Sequence, residues 1–100
     1  PYIPALLNLT ERAIKQKNLD EAFKLSYKGV QLFDPQSLYI HATLLLNSPF
    51  VPLLAQESPD KLEYIARNLL AYASMPIWLS GKKFYFPQAR GLLHKLDTDE

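Results

Sequence analysis

The run Lys82-Lys83-Phe84-Tyr85-Phe86 sets two cations beside three aromatic rings. Such a grouping can grip phosphates and stack on the bases of a single strand. It can equally anchor a loop on a core while the lysines face water, or present aromatic anchors rimmed by cations to a protein partner. Trp78, Lys82, Lys83, Phe84, Tyr85 and Arg90 are the candidate partner-binding residues. From Tyr64 to Leu96 the chain has no acidic residue, while Arg67, Lys82, Lys83, Arg90 and Lys95 are basic.

Residues suited to catalysis are scattered by comparison. His41 and His94 lie far apart and lack metal-ligand spacing. His41 falls in an almost wholly apolar stretch, so it is expected to be packed, with its ring hydrogen-bonded. His94 follows Leu92-Leu93 near the end of a last helix, where a cation suits the dipole. The carboxylates Asp20-Glu21 and Asp60 with Glu63 fall in first turns of expected helices, where dipole compensation accounts for them. Ser26 and Ser80 have no neighbouring base in the sequence. There is no glycine-rich phosphate loop, nucleophile elbow or HExxH motif. The chain is therefore read as non-enzymatic, with no catalytic residue, no metal and no cofactor.

The composition agrees with one packed domain. Of 100 residues, 48% are hydrophobic and 21% charged, enough apolar surface to form a core. Eleven Lys and Arg against ten Asp and Glu leave a net charge of +1, which argues against nucleic acid as the dominant ligand. The absence of cysteine excludes disulfides and thiol chemistry. The nearly uncharged stretches 68–81 and 40–55 are shorter than a membrane span of ~20 apolar residues and are broken by proline. No secretory signal opens the chain, and its ends read as those of one module in a larger intracellular protein, cytoplasmic or nuclear.

Apolar spacing supplies the elements that must hold these residues. Ile3, Leu6, Leu7, Thr10, Ala13 and Ile14 form one face of a first helix opened by Pro4. Asn18 caps a second, whose packed face runs Leu19, Ala22, Phe23, Ser26, Val30 and Phe33, with Leu25 and Leu32 widening it, until Asp34-Pro35 stops it. So short a connection makes these two helices antiparallel. A third helix, from Pro35 to about residue 47, is apolar on nearly every side and should be central. After a proline-broken segment with a short turn near 53–56, Ser58-Pro59-Asp60 opens a fourth. Its stripe is Leu62, Ile65, Ala66, Leu69, Leu70 and Ala73, with Tyr64 and Tyr72 beside it. Residues 76–86 are expected to be irregular or a very short hairpin, and a last helix runs from Pro87 to about residue 95.

The segment from Asn18-Leu19-Asp20-Glu21-Ala22 to Asp34-Pro35 resembles the second half of a tetratricopeptide repeat, with Ala22 and Gly29 at the two small positions. Leu6, Leu9 and Thr10 fall acceptably on first-helix positions. Ser26 stands where that family has a large aromatic, Pro35 falls one residue late, and no second copy follows at ~34 residues. Residues 4–35 are also similar to the first two helices of MIT domains, three-helix bundles that bind short helical tails. Both resemblances imply an antiparallel hairpin and a tendency to bind peptides.

The expected fold is all-α: about five helices in a single domain over residues 1–96, followed by an acidic tail at 97–100. The expected function is a protein–protein interaction domain or scaffold. It would receive a peptide or partner helix in a helical groove or on the aromatic-basic surface at 78–90, where Lys82, Lys83 and Arg90 favour an acidic partner. A nucleic-acid-binding module using residues 82–90 is the alternative.

Overall fold

Two turns of the same design shape the N-terminal half. Helix α1 spans Ile3–Lys15, α2 Leu19–Gln31 and α3 Pro35–Leu46. After α1, the Asn18 amide donates to the Ala13 carbonyl and the Lys17 amide to that of Ile14, each at 2.9 Å. After α2, Asp34 donates to Gly29 at 3.1 Å and Phe33 to Val30 at 2.9 Å. These crossed pairs are Schellman motifs, which reverse the chain through one left-handed residue. Lys17 (φ 58°) and Phe33 (φ 56°) occupy that position, where glycine is the usual choice. The next residue in each turn caps the following helix. Asn18 Oδ1 accepts from the Glu21 amide at 3.4 Å, and Asp34 Oδ2 accepts from the Ser37 amide at 2.9 Å and the Ser37 hydroxyl at 2.8 Å.

The computed structural model describes residues 2–75, 77–79, 82–84 and 86–98, the two short strands by their backbone. After α3 come two 3₁₀ turns, Ser48–Phe50 and Pro52–Leu54, then α4 (Pro59–Ser74). Strands β1 (Ile77–Leu79) and β2 (Lys82–Phe84) pair antiparallel, and α5 (Pro87–Thr98) closes the chain. The architecture is all-α apart from that hairpin, with each helix packed on its neighbours in sequence. The molecule measures 43 × 33 × 19 Å, and its thin dimension admits only two layers of helices at their usual 8–10 Å spacing.

Small residues set how closely the helices approach. Gly29 lies against Ser37 so tightly that a Cβ there would fall 1.9 Å from the Ser37 Oγ and 2.3 Å from its Cβ. Ala22, two helical turns earlier, is fully buried on the same face of α2. The spacing recurs on α4, where Ala66 and Ala73 are both fully buried. Between these helices lies α3, with Leu38, His41, Ala42, Leu44 and Leu45 buried, the central position its all-round apolar pattern predicts. The chain returns from the hairpin when the Phe86 amide donates to the Ala73 carbonyl at 3.2 Å and the Phe86 ring meets Tyr39 at 5.0 Å.

Some residues leave their expected places. Phe33, read as part of the packed face of α2, stands 67% exposed, because α2 ends at Gln31 and the left-handed turn swings the ring outward. Ser58 sits at the N-cap of α4 but its side chain makes no capping bond. Of the tail expected at 97–100, residues 97 and 98 belong to α5, which runs through Thr98, and Asp97 pairs with Arg67 of α4. Residues 99 and 100 lie outside the described set.

The tightest contact yields a test. Alanine's helix propensity favours Gly29→Ala by about 1 kcal/mol. The clash with Ser37 should nonetheless make the variant less stable by about 1–3 kcal/mol. For a chain this size that lowers Tm by about 5–15 °C. Ser37→Gly, added to Gly29→Ala, should recover part of the loss in thermal unfolding, whereas strictly additive losses would place the clash elsewhere.

Candidate interaction surface

From Lys61 onward, the exposed residues of α4 and of its C-cap Met75 lie on one side. Lys61, Tyr64, Ile65, Asn68, Tyr72 and Met75 fall within an arc of about 100° at the helical advance per residue. Leu62, Ala66, Leu70 and Ala73 hold the opposite arc and are buried. Tyr64 is 68% exposed, Tyr72 56% and Met75 49%. Ile65, assigned to the packed stripe, sits at the edge of the open arc at 37%. Two tyrosines and a methionine on one open helical face are the residue types enriched at protein interfaces.

This face runs into the segment holding the sequence-predicted residues. Trp78 of β1 pairs with Lys83 of β2, Leu79 with Lys82, and Ile77 with Phe84. The side chains of Trp78, Lys82, Lys83 and Phe84 lie outside the described atoms, and Tyr85 lies outside the described residues. Arg90 is exposed on α5, as are His94 and Lys95, while Phe86 is half-buried against Tyr39. Arg67 leaves the basic set. Its guanidinium donates to Asp97, to the Leu96 carbonyl at 3.3 Å, and lies 3.7 Å from Glu63, so it ties α4 to the end of α5.

The buried polar pair beneath α2 was not visible as a pair in the sequence. His41 is the packed, hydrogen-bonded residue its apolar surroundings predict, and its partner is Ser26, with Oγ 2.7 Å from Nδ1. The Ser26 hydroxyl also donates to the Phe23 carbonyl at 3.0 Å. Both contacts hold together when His41 carries its proton on Nδ1 and donates it to Ser26. The imidazole then acts as donor, so it cannot activate the hydroxyl as a base. Ser26 is 1% exposed and His41 5%, and the His41 ring stacks on Phe23 at 4.3 Å. This arrangement joins α2 to α3.

Shallow clefts open at both sides of the helical stack. One of about 190 Å³ lies between α1 and α2, lined by Leu9, Ala13 and Leu25 with Arg12 and Glu21 at its rim. Another of about 300 Å³ lies where α3 ends and α4 begins. Among the described residues, no three His, Asp or Glu side chains are grouped to hold a metal ion, and no helix is long and apolar enough to cross a membrane. No family model, curated protein or solved structure matches the chain.

Burial lowers the His41 pKa from 6.5 to about 4. The unfolded chain therefore takes up a proton near pH 6.5 that the folded protein refuses until about pH 4. Stability from this residue is full above pH 6.5 and is lost as pH falls toward 4, by about 3 kcal/mol in all. Urea unfolding at pH 7 and pH 4.5 should show the wild type losing about 2–3 kcal/mol more than His41→Gln. Equal losses in the two proteins would mean that His41 is not buried neutral.

Proposed function

We propose that this chain is a non-enzymatic protein-interaction domain that receives an acidic peptide or partner helix on the outer face of α4 and the adjoining segment 78–90. The observation that carries the reading is the open arc of Tyr64, Tyr72 and Met75, set opposite the buried Leu62, Ala66, Leu70 and Ala73. Aromatic anchors of this kind supply most of the binding energy in an interface, and two or three of them suffice for a short helical ligand. The arc spans about 17 Å along the helix axis, the length of three turns of a docked partner.

Charge supports the sign of that partner. Between Tyr64 and Leu96 every formal charge is positive, and Arg67 is engaged by Glu63 and Asp97. The other cations of that stretch are Lys82, Lys83, Arg90 and Lys95, of a sign that draws in carboxylates. Such rim charges act chiefly on the rate of encounter, and the apolar arc on how long the complex lasts.

An acidic amphipathic helical peptide labelled with a fluorophore tests the reading. It should bind with amide shift changes centred on Tyr64, Asn68, Tyr72 and Arg90. Tyr64→Ala with Tyr72→Ala should weaken it by about tenfold or more. Lys82→Ala with Lys83→Ala should slow association and flatten its dependence on salt. A peptide that leaves the α4 arc unperturbed, or a single-stranded oligonucleotide that binds there more tightly, would overturn the proposal.

A further inference from the structure

The cleft at the junction of α3 and α4 lies at the other end of α4 from the hairpin, and its character is opposite. Leu45 and Leu46 floor it, Pro49 and Pro59 wall it, and Asp60 and Glu63 stand at the rim. No basic residue lines it. Among the described residues Asp60 has no ion-pair partner, and Glu63 meets Arg67 only at 3.7 Å while that guanidinium also engages Asp97 and the Leu96 carbonyl. Phe50, the last residue of the 3₁₀ turn Ser48–Phe50 that holds Pro49, is 73% exposed. The volume of about 300 Å³ stands at the lower limit for small-molecule pockets, a size that suits one or two side chains of a peptide better than a cofactor.

We infer that this cleft is a second docking site, separate from the α4 arc, for a chain segment that places a leucine-sized side chain between lysines or arginines. The apolar floor takes the side chain out of water, and the two rim carboxylates select the flanking cations. The walls are held firmly. The prolines restrict the backbone on both sides, and Leu45 is 4% exposed, continuous with the core. A segment carrying acids at the same places would meet like charge at the rim, so the site discriminates by repulsion as well as attraction.

The experiment uses the 100-residue chain, uniformly labelled with nitrogen-15, and two probes: acetyl-Lys-Leu-Leu-Lys-amide and acetyl-Glu-Leu-Leu-Glu-amide. The basic probe should shift the amides of Leu45, Leu46, Ser48, Asp60 and Glu63, and the acidic probe should leave them in place. Asp60→Asn changes an exposed first-turn residue and keeps the fold. It should weaken the basic probe by about threefold. Leu46→Lys should abolish its binding, with an unchanged far-UV circular dichroism spectrum showing that the helices persist. The inference is overturned if the basic probe leaves these amides unmoved, if the acidic probe moves them equally, or if Asp60→Asn leaves the affinity unchanged. It is also overturned if the same amides shift on dilution of the protein alone, since the occupant is then a second copy of the chain. Because the α4 arc has its own residues and its own acidic probe, either site can fail without the other.

Discussion

The approach of α2 to α3 is the constraint from which the remaining geometry follows. At Gly29 the helices meet where there is no room for a Cβ beside Ser37. Asp34, in the turn between them, holds the same serine by its amide and its hydroxyl. A helical turn farther in, Ser26 and His41 satisfy one another at 2.7 Å. With α2 held on one side, α3 packs its other side against α4, whose Ala66 and Ala73 are fully buried. Helix α4 then has one side left for solvent, the side that carries Tyr64, Tyr72 and Met75. The candidate surface is thus a consequence of packing decided on the far face of the same helix.

Much of this order was legible in the residues, and the physical reason differs from one element to the next. All five helices declare themselves through apolar spacing, proline in the first turn, or both. The central place of α3 follows from having no polar face, and the buried state of His41 from its neighbours. What was not legible depends on contacts between distant residues. Nothing local announces that Ser26 faces His41, fifteen positions on, or that Asp97 reaches back to Arg67. Phe33 was misplaced for a related reason. Apolar periodicity carries a helix as far as the pattern lasts, whereas Schellman bonding to Gly29 and Val30 ends it after Gln31. A non-glycine residue in the left-handed position gives no warning in the sequence.

The site residues divide along the same line. That Tyr64 and Tyr72 share an open arc follows from spacing and helical pitch, once α4 is known to pack by Leu62, Ala66 and Leu70. The +1 balance concealed a segregation of charge: carboxylates at the α3–α4 junction, an acid-free stretch from Tyr64 to Leu96, and Arg67 and Asp97 neutralising each other between helices. Along α4 the carboxylates Asp60 and Glu63 stand at the first turns, and no acidic residue follows before Asp97.

Helices α2, α3 and α4 form one cooperative unit closed by the Gly29–Ser37 approach and the Ser26–His41 pair. Native-state amide hydrogen exchange tests this directly, because a cooperative unit opens all at once. The amides of Ser26, Gly29, Ala42, Leu45, Ala66 and Leu70 should exchange slowest, with one common opening free energy equal to that of global unfolding. Amides of α2 that exchange through a separate, cheaper opening, while α3 and α4 stay protected, would contradict it.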